Sequence, residues 1–101
     1  MSVTFYVDNK QARAWLRLPG TLADYLLLAL GYEPWDLGFF RGLRPNDVLA
    51  RIASVRRQFA LGRGCEFTSA EIKDSWLLGE LAELEKLARR ARESETSVLV
   101  L

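Results

Sequence analysis

The chain of 101 residues has no histidine, one cysteine, three prolines and only three lysines beside eleven arginines. Without histidine it lacks the side chain that changes charge near neutral pH and the commonest metal ligand. A Ser–His or Cys–His nucleophile would have no base, and no cysteine or carboxylate spacing replaces it as a metal site. A single cysteine, Cys65, closes no internal disulfide, which points to a reducing compartment. The most apolar stretch, Leu26 to Leu30, is far shorter than the roughly 20 residues that cross a bilayer. The opening MSVTFYVDNK has neither the basic nor the apolar region of a signal peptide. The expectation is a cytoplasmic protein with no membrane contact. Glycine motifs for phosphate are missing too, since Gly62-Arg63-Gly64 has neither dinucleotide nor Walker spacing and reads as a helix terminator. No cofactor, metal or small-molecule ligand is expected, and no enzymatic activity. The arginine excess carries no message by itself, because a GC-rich coding sequence produces the same bias.

What is present suits a folded chain: 50% apolar residues, 27% charged and eleven aromatics, enough for one domain over residues 1–101. Ser2 to Val7 is β-branched and aromatic and reads as a strand. Residues 10–18 fit two periods. Asn9 can cap a helix that places Ala14, Trp15 and Leu18 together, and alternation of Arg13, Trp15 and Arg17 fits a second hairpin strand. Good helix formers dominate the segment, so the helix is preferred. Thr21 is the expected N-cap of a short, largely buried helix carrying Leu22, Leu26, Leu27 and Leu30, ended by Gly31. Pro45 starts a helix to about Leu61, stopped at Gly62, with Val48, Ile52, Val55 and Phe59 as its buried stripe.

Thr68 to Glu71 reads as a capping box that opens the longest helix, about 69–92. On it Trp76, Leu77, Leu81, Leu84, Leu87, Ala88 and Ala91 share an arc of about 140°. Trp76 is expected to be buried near Ile52 or Phe59. Glu85 and Arg89 form an i, i+4 pair. Ser97 to Leu101 reads as a last strand buried on both faces. The fold expected is α+β: terminal β-strands in a small sheet, parallel if a helical crossover joins them, packed by three or four helices.

Three constellations stand out. Residues 41–63 hold six arginines against Asp47, a net +5, while the remaining chain carries −4. Arg51, Arg56, Arg57 and Arg63 are therefore candidate nucleic-acid contacts. Helical spacing nevertheless points Arg51, Arg56 and Arg57 in three directions, and no nucleic-acid motif accompanies them. The second constellation is an aromatic loop. Tyr32, Trp35, Phe39 and Phe40, with Arg41 and Arg44, have the composition of protein–protein contacts. Trp35, between Pro34 and Asp36, suits its tip. The third is Glu80, inside the apolar arc, which needs an arginine partner from the basic helix, a route to water, or a raised pKa. Cys65 beside Arg63 has no activating base and reads as buried and inert. The function expected is that of a small bacterial- or phage-type protein that binds another macromolecule, first a protein partner or itself, second a nucleic acid.

Overall fold

Val3, Phe5 and Val7 alternate with Thr4 and Tyr6, and that two-residue period forms the first strand. The structure is a computed structural model that describes residues 2–9, 12–32, 43–64, 73–96 and 98–100. Strand β1 (Ser2–Asn9) pairs antiparallel with β2 (Ala12–Pro19) from Ser2↔Pro19 to Asn9↔Ala12. Phe5, Val7 and Leu18 are buried on the inner face, with Val3 and Leu16 packed beside them. Residues 12–18 are thus a hairpin strand, not the helix their propensities favour. Pairing along β1 and burial of one face outweigh differences of a few tenths of a kcal/mol per residue.

The C-terminal strand β3 (Leu99–Val100) lies on the other side of β1, so the order is β2-β1-β3. Phe5↔Val100 and Tyr6↔Leu99 pair antiparallel, and Leu43 bridges Val98 beyond them. The chain ends therefore pair directly. The parallel arrangement does not occur, because a hairpin and three helices separate β1 from β3 and no single crossover helix sets their direction. Val98 is fully buried.

Of the three described helices, the first and third pack on the inner face, and the second packs against the third. Helix α1 (Gly20–Ala29) starts directly from β2, with extended Pro19 as N-cap and no side-chain cap. Thr21 lies within the first turn, because the strand leaves no spacer in which it might cap. Helix α2 (Pro45–Ala60) has proline in its first turn, and Val48, Ile52 and Val55 are buried while Phe59 is half-buried. Helix α3 (Asp74–Glu93) begins after Lys73, whose backbone is extended, so the helix does not run from Ser69. The Thr68 to Glu71 box lies outside the described residues. Leu77, Leu81, Leu84, Leu87, Ala88 and Ala91 form the buried arc.

Trp76 is half-buried rather than buried. It lies nine residues from Glu85, about 180° around the helix axis, and Glu85 is the residue that reaches Arg56 of α2. Trp76 therefore occupies the flank of α3 away from that ion pair.

All three helices end in the same backbone device. After α1, Gly31 N–H donates to Leu28 O and Tyr32 N–H to Leu27 O, both at 2.9 Å. Gly62 and Arg63 repeat this after α2, and Glu95 and Thr96 after α3. These are Schellman motifs, which require a left-handed residue. Gly31 and Gly62 supply it at φ 82° and 77°, whereas α3 uses Glu95 at φ 55°. Among the described residues, no helix is long and apolar enough to cross a membrane.

Candidate functional site

The Schellman turn of α1 delivers Tyr32 to the first turns of α2. Its hydroxyl donates to Asp47 Oδ2 at 2.7 Å, and Arg51 Nε donates to the same oxygen at 3.0 Å. Arg51 Nη1 also donates to the carbonyl of Leu30 at 2.9 Å, at the negative end of α1. The guanidinium carbon sits 4.1 Å from the Tyr32 ring centroid. Burial, followed by the bond to Asp47 and its charge, pushes the Tyr32 hydroxyl well above the ordinary tyrosine range. The hydrogen bond from Tyr32 holds the Asp47 carboxyl below its usual range, with Arg51 adding to the effect against a desolvation that opposes it. A Cβ at position 31 would come within 3.0 Å of Arg51 Nη1, so Gly31 is needed for this approach as well as for its φ.

This cluster is a joint between the end of α1 and the first turns of α2. Tyr32 is half-buried within it, and Arg44 is the exposed N-cap residue of α2. Trp35, Phe39, Phe40 and Arg41 lie outside the described residues, as does Cys65.

The basic segment is dispersed. Arg51 is committed to the joint. Arg56 Nη1 donates to Glu85 Oε2 at 2.5 Å, an oxygen that also faces Arg89 Nη2 at 3.8 Å. Arg57 and Arg63 are exposed. The four arginines do not converge on one face among the described residues. Glu80, for its part, has no arginine partner among the described residues, and its Oε2 is buried without a hydrogen bond there. Desolvation, reinforced by Glu83, raises its pKa. The arginine of the basic helix goes to Glu85 because Glu85 flanks the arc on the side of α2. Among the described residues no group of three or more metal-ligating side chains gathers.

Exposed apolar side chains appear where sequence reasoning did not place them. Trp15 is 68% exposed on the outer face of the sheet, with Thr4 and Tyr6 half-buried and Arg17 exposed beside it. Its exposure was hidden in the sequence because a helical reading grouped Trp15 with Ala14 and Leu18. On α1, the positions 21, 24, 25 and 28 form a second, outward face. Thr21, Asp24, Tyr25 and Leu28 line an open, mostly apolar depression of about 300 Å³. Tyr25 is 39% and Leu28 55% exposed, so α1 is not buried all round. The signal was available: Thr21, Tyr25 and Leu28, opposite Ala23, Leu26 and Leu27, exceed what a single inward stripe uses.

Backbone bonding fixes which way the main-chain groups of each strand point. Leu43 and Val98 exchange both N–H···O bonds, at 2.6 and 2.8 Å. The main-chain groups of Val98 point to Leu43, so those of Leu99 point to Tyr6, and those of Phe5 and Val7 point to β2. Continuing the alternation, Leu16 and Ala14 bond inward. The N–H and C=O groups of Arg13, Trp15 and Arg17 face away from β1. In the strand order, β2 lies outermost on the side of β1 away from β3. Comparison of the chain with protein-family models, curated proteins and solved structures finds no match.

Proposed function

We propose that this chain acts by binding another protein, in a reducing, cytoplasmic setting, rather than by catalysis. The observation that carries the reading is Trp15, a large ring left 68% exposed on the outer sheet face, with Tyr25 and Leu28 exposed on α1. Aromatic side chains left in water at this cost are the usual anchors of interfaces. The aromatic segment with Trp35, a candidate on its sequence, lies outside the described residues and is kept as a second candidate contact.

Immobilised wild-type chain should retain a partner from native lysate. Trp15→Ser, Tyr25→Ser or Trp35→Ala should weaken that capture by at least about tenfold while shifting stability by less than about 1 kcal/mol. Unchanged capture by all three variants would refute the reading. Submicromolar binding of DNA or RNA at ~150 mM salt, lost in the Arg57→Glu/Arg63→Glu variant, would favour the nucleic-acid alternative.

A further inference from the structure

We propose that copies of this chain join head to tail, the outward stripe of α1 in one copy seating the outward face of α2 in the next. This rests on the protein-binding reading at Tyr25 and Leu28 and names a second copy as the occupant there. Thr21, Asp24, Tyr25 and Leu28 follow the i, i+3, i+4, i+7 spacing of a helix–helix seam, and together they line the open depression of about 300 Å³. Asp24 is the one charge in α1.

The matching surface lies on α2. Val48, Ile52 and Val55 are its buried stripe, and residue 57 stands about 180° around the axis from Val48. On that outward side Ala50, Ala53 and Ser54 are exposed and small, so a second helix can approach closely. Arg57 and Leu61 continue the face, both exposed. Among the described residues neither Asp24 nor Arg57 is in an ion pair. Each stands four residues before an exposed leucine, Asp24 before Leu28 and Arg57 before Leu61, so one alignment joins the charges and the leucines together. The chain already seats a guanidinium in this way, where Arg51 lies over the Tyr32 ring and donates to Asp47. Arg57 repeats that arrangement across the contact, with Tyr25 as the ring and Asp24 as the acceptor. Two α1 stripes serve each other poorly, because symmetric pairing about their midpoint sets both Asp24 carboxylates together without a cation. The contact therefore uses two different patches, and one copy keeps a patch free for a further neighbour.

Sedimentation velocity and light scattering on the full chain, before and after nuclease treatment, read the association. The mass of the wild type should rise with concentration past the dimer, and less steeply at high salt. Asp24→Arg and Arg57→Ala should each weaken association at least about tenfold. Mixed one to one, these two variants should form a heterodimer that grows no further, because the first keeps the Arg57 patch and the second keeps the Asp24 patch. Asp24→Arg and Arg57→Glu combined in one chain should restore growth. Thermal melts within a few degrees of the wild type show that the variants fold.

A wild-type chain that stays monomeric up to ~1 mM overturns the proposal. So does association indifferent to Asp24→Arg, or a mass that stops at the dimer and survives Arg57→Ala, the outcome of symmetric pairing. A mass that collapses on nuclease treatment makes nucleic acid the bridge and overturns it as well. If the chain is monomeric while lysate capture still depends on Tyr25, self-assembly falls and protein binding stands, with a foreign partner on the α1 stripe.

Discussion

Arg51 sits over the ring of Tyr32 while the two side chains donate to the same oxygen of Asp47. One guanidinium thus joins the end of α1, Tyr32 and the first turns of α2. Removing it takes the guanidinium donor from the Leu30 carbonyl and leaves Asp47 Oδ2 with the Tyr32 hydroxyl alone. Arg51→Ala should lower unfolding free energy by about 1–3 kcal/mol in urea melts. Arg51→Lys should restore less than half of that, because an ammonium cannot bridge the three sites with a planar fork. A loss below about 0.3 kcal/mol would mean that the joint is decorative.

Glu80 carries a carboxylate oxygen that is buried without a partner, and Glu83 repels its charge. Its folded pKa is raised, so its contribution to stability is full below the ordinary glutamate pKa and is lost as pH rises through the folded value. Glu80→Gln should therefore be more stable than the wild type near pH 7. The gap should close or reverse on acidification below about pH 4. Comparison of the two chains by urea melts across that range checks the sign, and a constant difference would refute it.

Glu95 holds a left-handed backbone at φ 55° in a position where α1 and α2 use glycine. Left-handed geometry costs a side-chain-bearing residue roughly 1–2 kcal/mol, while glycine adds entropy to the unfolded chain. The net expectation for Glu95→Gly is stabilisation by about 0.5–1 kcal/mol. Glu95→Val should move the other way. Thermal melts of both variants provide the test.

Val98 is fully buried and exchanges two backbone bonds with Leu43, and β3 completes the sheet against β1. Deleting Val98 to Leu101 removes four apolar side chains, and each that is fully buried contributes about 1.5–3 kcal/mol. That sum rivals the whole stability of a small domain. The truncated chain should be largely unfolded or insoluble. A cooperative melt within a few degrees of the full chain would show that β3 is dispensable.

By itself the sequence determined the elements whose signals are local. Pro45 and Gly62 bracket α2, the leucine period marks the buried arc of α3, and the terminal segments read as strands. Each rests on residues within a turn or two of one another, so no distant contact was needed. Tertiary structure decided the rest. Residues 12–18 became a strand because β1 lay alongside to pair with them. Arg51 and Arg56 were drawn into structure by Asp47 and Glu85, leaving Arg57 and Arg63 exposed. Trp15 was left in water because the other face of the hairpin is the one that α1 and α3 cover. Such outcomes depend on which element comes to lie against which, and that free energy is distributed over contacts far apart in the chain.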